Sequence, residues 1–121
     1  MQSDTLSQYN AVIKTCQATF KQKTQDYGTA WRILRLPSMT DQIMIKAQRI
    51  RALQAQKTQR VDEGMAPELI GIINYSAMAL LQIALENDER LEIPYEELAP
   101  LYEQVIAATT ALLDAKNHDY Q

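Results

Sequence analysis

Apolar residues recur at helical spacing along the chain, and they predict an all-α fold: a helical bundle of four to five helices. We expect the first helix from about Ser3 or Asp4 to about Thr24, because its apolar residues fall at i, i+3, i+4, i+7 and i+11. These residues are Tyr9, Val12, Ile13, Cys16 and Phe20. Gly28 can take the left-handed conformation that ends a helix. A short helical turn should follow, with Pro37 stopping it.

The second long helix is predicted from about Asp41 to about Gln59. Ser38 and Asp41 have capping-box spacing, or Thr40 caps the helix directly. Five cations make this helix the basic element of the chain: Lys46, Arg49, Arg51, Lys57 and Arg60. Residues 60–66 are polar and predict a loop, after which Pro67 should lie in the first turn of the next helix.

Residues 69–85 carry no charged side chain, and apolar residues surround the helix that they predict. Such a helix must be buried on nearly all sides, so we expect a central helix shared with another subunit or repeat. A membrane span is disfavoured, because 17 residues that include Gly71, Asn74 and Gln82 are short and polar for a span. Pro94 should open the last helix. Its predicted apolar face consists of Leu98, Leu101, Val105, Thr109, Leu112 and Leu113.

The last helix repeats the pattern of the first at a shift of 93 residues. From Tyr9 to Tyr27, seven of nineteen positions are identical: Tyr9/Tyr102, Val12/Val105, Ile13/Ile106, Ala18/Ala111, Lys23/Lys116, Asp26/Asp119 and Tyr27/Tyr120. We therefore predict a first repeat unit at 1–93 and the start of a second, truncated unit at 94–121. The alternative is that two amphipathic helices share a face by chance.

Charge and cysteine content narrow the classes of partner and compartment. Twelve Lys and Arg against fifteen Asp and Glu give a net charge of −3, which argues against a general duplex-DNA binder. One cysteine and a polar N-terminus without a signal-peptide pattern predict a cytoplasmic protein.

The densest group of candidate functional residues surrounds the turn at Gly28. Tyr27 or Trp31 could stack on a base, and Lys23 or Arg32 could hold a phosphate. The alternative is structural: the two aromatic rings close the end of the bundle while Asp26 pairs with Arg32.

The helices that follow offer further polar candidates. Lys46 and Arg49 lie one turn apart and face either a phosphate or water. Asn74 is either a packing lock or a ligand contact. Among the acids, Glu63 and Glu68 are too few and too poorly aligned to predict a metal cluster by themselves.

These residues together resemble the nucleotide-modification-associated domain family. The resemblance lies in Lys23-x-x-Asp26-Tyr27-Gly28-x-Ala30-Trp31-Arg32, in Asp41 to Arg49 with Lys46, in Glu63-Gly64 and in Asn74-Tyr75. Some members carry two copies in tandem, as the repeat predicts. The family is similar in turn to the all-α nucleotide pyrophosphohydrolases of the MazG and dimeric dUTPase type. That similarity implies a dimeric helical bundle that binds a nucleotide through Mg²⁺.

The sequence departs from that family pattern where the metal would bind. The acid expected three residues before Asn74 is Gly71, and the acid expected seven before it is Pro67. Glu63 is left as the metal ligand that the resemblance implies. Either catalysis belongs to a second unit, or this unit binds nucleotides without hydrolysing them.

Two hypotheses follow. The first is a nucleotide-binding module of nucleotide or modified-base metabolism, for which we expect a homodimer or packing against the second repeat. Its substrate-binding residues would be Lys23, Asp26, Tyr27, Trp31, Arg32, Lys46, Arg49 and Asn74, with Mg²⁺ at Glu63. The second is a non-catalytic structural or oligomerisation module, whose polar turns serve only the fold.

Overall fold

The computed structural model describes the backbone of residues 2–56 and 61–119, and the side chains of 4–56 and 63–116. Within these ranges the chain is all-α, as predicted, and contains no strand. The helices are α1 (Gln2–Tyr27), a 3-10 helix (Ala30–Ile33), α2 (Leu36–Ala55), α3 (Val61–Ala84) and α4 (Tyr95–Asp119). The predicted end of the second helix at Gln59, and the Tyr120 of the repeat, lie outside the described residues.

The chain folds into two compact units. One consists of Met1–Thr29 and Glu92–Gln121, and pairs α1 with α4; the other is Ala30–Leu91, and pairs α2 with α3. This spatial division differs from the sequence division at residue 93, because α4 packs on the helix whose pattern it repeats. The tandem repeat itself stays a prediction, since a repeat in sequence need not be a separate unit in space.

The first unit has its core between α1 and α4. Phe20 and Tyr102 are nearly fully buried and stack with their ring centroids 4.1 Å apart. Burial raises the pKa of the Tyr102 phenol, so this side chain stays neutral in the core. The buried face of α4 is Leu98, Tyr102 and Ile106. The predicted face was therefore partly wrong: Leu112 is 61% exposed, and Thr109 is exposed too.

The end of α1 is fixed by a glycine cap and a buried threonine. Gly28 has φ +70°, the predicted left-handed conformation, and its N–H donates to the carbonyl of Thr24 at 2.8 Å. Thr29 is fully buried; its backbone N–H donates to the Glu92 carboxylate at 3.1 Å, and its hydroxyl accepts from the N–H of Ile93. The start of the α4 segment is thus joined to the end of α1.

The predicted start of the second helix was wrong. α2 begins at Leu36 rather than Asp41, and Arg35 is its N-cap without a side-chain cap bond. Pro37 therefore opens a helix instead of stopping one, since its missing N–H would have no helical partner in the first turn. Ser38 and Thr40 lie inside the helix, where the Thr40 hydroxyl donates to the carbonyl of Leu36.

The predicted loop before α3 was also wrong. α3 begins at Val61, so Pro67 lies inside the helix. The proline removes one helical hydrogen bond, to the carbonyl of Glu63, while the turns on both sides continue. Packing supports this first part of α3: a Cβ at Gly64 would lie 3.3 Å from the Leu53 side chain of α2.

The charge-free segment forms α3 as predicted, but one chain encloses only one of its faces. Asn74, Ala77 and Leu81 are buried, while Leu80 and Ile83 are about half exposed. Burial on nearly all sides would therefore need a further chain or repeat. Among the described residues, Glu63–Ala84 is long and apolar enough to cross a membrane by length and composition alone, a test that core helices of water-soluble proteins also pass.

Candidate functional site

The candidate site lies on the antiparallel pair of α2 and α3, where Lys46 crosses from one helix to the other. Its ammonium lies 5.6 Å from the centroid of the Tyr75 ring, within cation–π range. Its stem lies over Gly71: a Cβ built at that position would be 2.7 Å from Lys46 Cδ and Cε, and 3.1 Å from Nζ. The lysine therefore fills the space that any other residue at position 71 would need.

Gly71 is in the interior of α3, where glycine is less favourable than alanine by about 0.5–1 kcal/mol. Its φ is not positive, so no turn requires a glycine there. In this structure the end of the Lys46 side chain occupies the space above Gly71, and a residue with a Cβ there would displace that flexible end. Gly71 thus lowers the helix propensity of α3 at the point where the Lys46 ammonium lies on its surface.

One turn away from Lys46 on α2, Arg49 pairs with Glu68 of α3. Arg49 Nη1 lies 3.4 Å from Glu68 Oε1; the arginine side chain is 61% exposed and the glutamate only 16%. The other glutamate oxygen, Oε2, is buried without a hydrogen-bond partner. Among the described residues, no hydrogen bond or ion pair engages the Lys46 ammonium. Of these two neighbouring cations, Arg49 is therefore paired and Lys46 is not.

Asn74 and Tyr75 follow on the same helix. Asn74 is 5% exposed and faces the interior of the pair, whereas Tyr75 is half-buried under the lysine. The described geometry brings Lys46, Arg49 and the Asn74-Tyr75 pair together on one helical hairpin. This is part of the predicted substrate-binding set.

The structure places Arg32 in a different setting. Its guanidinium donates to the side-chain oxygen of Gln82 and to the backbone carbonyls of Leu85, Asp88 and Arg90, at and beyond the end of α3. Carbonyls at a helix C-terminus lack helical partners, and a cation there is also favoured by the helix dipole. In this arrangement Arg32 caps α3.

Beyond the end of α3, Asp88 is held by Arg90. The carboxylate accepts from the Arg90 side chain at 2.8 Å and from its backbone N–H at 3.0 Å. These hydrogen bonds, the side-chain one first, lower the pKa of Asp88 to about 2. The turn therefore keeps its negative charge through most of the acid range.

The remaining predicted site residues are divided between the two units. Lys23, Asp26 and Tyr27 are in the first unit, all exposed, with Tyr27 at 75%. Asp26 accepts two hydrogen bonds from Gln22 on the same helix. Trp31 is half-buried in the 3-10 helix of the second unit. The base-stacking roles of Tyr27 and Trp31 stay predictions.

The described residues do not fit a divalent cation. Glu63 is exposed, and no group of three or more His, Cys, Asp or Glu among the described side chains could hold a metal ion. The Glu68 carboxylate is already paired with Arg49, and the ammonium of Lys46 lies on the neighbouring turn of α3. A second positive charge beside these two would be repelled. The Mg²⁺ at Glu63 stays a prediction that the donor set does not favour.

Sequence reasoning missed three residues that build this site and its support. Gly71 was interpreted only as the place of an expected acid, Glu68 only as one of two poorly aligned acids, and Gln82 only as a polar interruption of an apolar helix. A glycine in the middle of a strong helix was the available signal for Gly71, because its unfavourable propensity requires a packing reason. Nothing in the sequence pairs Gln82 with Arg32, since that contact depends on where the end of α3 lies.

Comparison with known proteins supports the sequence resemblance. The model of the family described as nucleotide modification associated domain 1 matches residues 23–83, which is 61 of the 121 residues and includes α2 and nearly all of α3. Comparisons with curated proteins and with solved structures give no match. The similarity to MazG-type enzymes stays a prediction. The match across half of the chain identifies it as a member of the nucleotide modification associated domain 1 family.

Proposed function

We propose that the chain is a nucleotide-binding module that acts in nucleotide or modified-base metabolism, and that the α2–α3 hairpin holds the phosphate. The family description associates the domain with nucleotide modification, and the matched residues contain both helices of the hairpin. A nucleotide always brings a phosphate or polyphosphate with negative charge. On the hairpin, the ammonium of Lys46 is partly buried and has no hydrogen-bond or ion-pair partner among the described residues.

The observation that carries the proposal is the position of Lys46. Its ammonium is drawn onto α3 by the gap at Gly71 and lies over the Tyr75 ring, without a carboxylate to neutralise it. A partly buried, unpaired ammonium favours binding of an anion, because charge-assisted hydrogen bonds to phosphate oxygens replace its lost water. Arg49 would add a second contact. Its side chain is 61% exposed, so its other nitrogens would contact the phosphate while Nη1 stays on Glu68, because breaking that pair would leave the 16% exposed carboxylate without its partner.

The test is a thermal-shift panel of nucleoside mono-, di- and triphosphates with millimolar Mg²⁺. Binding to the folded state raises the melting temperature, by about 2.7 kcal/mol of added stability when the ligand is at 100 times Kd. We expect Lys46→Met to remove the shift, because methionine keeps the aliphatic stem over Gly71 and loses the charge. Arg51→Met, at an exposed cation on the same helix, is the matched control and should keep the shift. No shift with any nucleotide would overturn the proposal.

We propose further that this unit binds without hydrolysing. The proposal rests on the acids: α3 has no acid among residues 69–84, and Glu68 is engaged by Arg49. Incubation of the chain with nucleoside triphosphates and Mg²⁺, followed by a pyrophosphate-release assay, tests this. Release above the level of a Lys46→Met variant would establish the pyrophosphohydrolase activity that the family similarity implies.

A second function, oligomerisation, is favoured by the exposed side of α3. Leu69, Ile73, Ser76, Leu80 and Ile83 are spaced 4, 3, 4 and 3 residues apart, the spacing of a coiled-coil seam. Leu69, Leu80 and Ile83 are 47–52% exposed. We propose that this stripe pairs with the same stripe of a second copy, because an uncharged surface with a small residue at its centre suits close contact with itself.

A further inference from the structure

We propose that the hairpin binds its phosphate without a metal ion, and that Lys46 supplies the positive charge that a divalent cation would otherwise bring. This inference rests on the proposed function, since it names how the same site recognises its ligand. It concerns the chemistry of recognition: an oxyanion held by a side-chain ammonium in a fixed position. The argument depends on space, on charge and on the surroundings of the ammonium.

The space at position 71 decides what can lie there. Any Cβ at this position would be 2.7 Å from two methylene carbons of Lys46, closer than non-bonded carbons come. A carboxylate on this turn of α3 and the lysine in its present position therefore exclude each other. In this structure Lys46 occupies the space. The turn of α3 that faces α2 therefore presents an ammonium, where an acid would present oxygen ligands.

The charges around the Lys46 ammonium also disfavour a divalent cation at this turn. From α3, the segment 69–85 contributes no charge, and the nearest acid before it, Glu68, is paired with Arg49 at 3.4 Å. From α2, the charged neighbours are Arg49, three residues after Lys46, and the exposed Asp41 and Arg51, five residues before and after it. With Lys46 and Glu68, these side chains sum to +1. Such a surface repels a divalent cation and attracts an oxyanion.

The aromatic ring beneath the ammonium holds it in place. Tyr75 is half-buried, and the face of its ring attracts a cation, more strongly where water is excluded. The ring face contributes no carboxylate to neutralise the charge. The ammonium is therefore positioned on α3, with its donors still available to phosphate oxygens.

The test is isothermal titration with inorganic pyrophosphate and with the four deoxynucleoside triphosphates, each in EDTA and each in Mg²⁺. We expect binding in EDTA at least as tight as in Mg²⁺, because Mg²⁺ neutralises the charge that Lys46 recognises. Lys46→Met should weaken binding in EDTA about tenfold or more, the loss typical of one hydrogen bond to a charged group. Arg51→Met should leave it unchanged.

Gly71→Ala separates the position of the ammonium from its mere presence. The new methyl group must displace the flexible end of Lys46, so binding should weaken although no charge is lost and the chain unfolds no more easily. Unchanged affinity in this variant would overturn the inference. Circular dichroism and urea unfolding establish that each variant is folded.

The outcomes separate the two proposals. Binding that appears only with Mg²⁺ would overturn metal-free recognition and leave nucleotide binding standing. If the Lys46→Met variant binds in EDTA as tightly as the unchanged chain, the role of Lys46 is overturned, and with it this inference, while nucleotide binding stands. No binding in either buffer would overturn the proposed function itself, and the inference with it.

Discussion

Replacing Arg32 by lysine tests whether this residue serves the fold or a ligand. The guanidinium donates to Gln82 and to the carbonyls of Leu85 and Asp88 in a partly buried setting, and to the carbonyl of Arg90 in an exposed one. Lysine keeps the positive charge at the end of α3 but loses the planar fork that meets several acceptors at once. If Arg32 were a phosphate ligand through its charge, lysine would preserve much of the affinity.

The expected cost follows from the contacts that a single ammonium cannot replace. Taking two partly buried hydrogen bonds as lost, at about 1 kcal/mol each, the folded state loses about 2 kcal/mol. A chain of 121 residues has an unfolding entropy of about 0.25 kcal/mol/K, so the melting temperature should fall by about 8 °C. Nucleotide affinity should stay unchanged.

Trp31 provides the assay, because it is the one tryptophan of the chain and lies next to Arg32 in the 3-10 helix. Its fluorescence during thermal unfolding reports on the unit in which the change is made. Arg35→Lys is the matched control: Arg35 is exposed, three residues away, and should not alter the melting temperature. An unaltered melting temperature for Arg32→Lys would refute the capping role.

Three other predictions concern the core, the assembly and the acid range. Leu81→Ala, at a fully buried position, should cost about 2–5 kcal/mol in urea unfolding, whereas Leu80→Ala, at 49% exposure, should cost far less; equal losses would contradict the orientation of α3. Ile83→Glu should convert the expected dimer to a monomer in multi-angle light scattering, while Leu112→Glu, an equally exposed apolar site on α4, should not; a wild-type monomer would exclude the dimer. Asp88 has its pKa lowered to about 2, so its contribution to stability is complete above its usual pKa of 3.8 and is lost as pH falls toward 2; Asp88→Asn should therefore reduce the pH dependence of stability in that window, and an unchanged profile would contradict the pairing with Arg90.

Features set by neighbours in sequence could be predicted. Most of the buried face of α1, the Gly28 cap and the start of α4 after Pro94 depend on spacing, backbone freedom and one missing N–H, all of which are visible in the chain itself. Val12 was an error on that face: it is 47% exposed, whereas Ile13, Cys16 and Phe20 are buried. The charge-free helix was predictable for the same reason. Its two faces were not, because the sequence of a uniformly apolar helix does not say which side α2 covers.

The errors in the predicted helix boundaries arose at prolines, because a proline can lie either in the first turn of a helix or just after its end. Pro37 was interpreted as a stop and Pro67 as a start, yet the first opens α2 and the second lies seven residues into α3. A proline is tolerated in a first turn, and an interior proline costs one hydrogen bond that packing elsewhere can offset. The polar residues around 60–66 suggested a loop, and only the contact between Gly64 and Leu53 shows why that segment stays helical.

The candidate site shows the same limit for charged side chains. Arg32 and Lys46 looked alike in sequence, as cations available to a phosphate, but one is saturated by carbonyls and the other lies unpaired over a ring. A long side chain reaches several ångströms. Its hydrogen-bond partner therefore depends on which helix terminus lies within that reach. For Arg32 that is the C-terminus of α3, whose position no local pattern contains.

Gly71 joins the two observations that matter most for function. Without a carboxylate, this turn of α3 cannot contribute a metal ligand; without a Cβ, it accepts the stem of Lys46. The missing side chain at position 71 and the place of the Lys46 stem on α3 are therefore one structural feature rather than two. An acid introduced at position 71 would have to expel the lysine before it could bind a metal, and the expelled ammonium would then be its nearest partner. With Lys46 in its present position, this turn of α3 offers a phosphate an ammonium rather than a metal ligand.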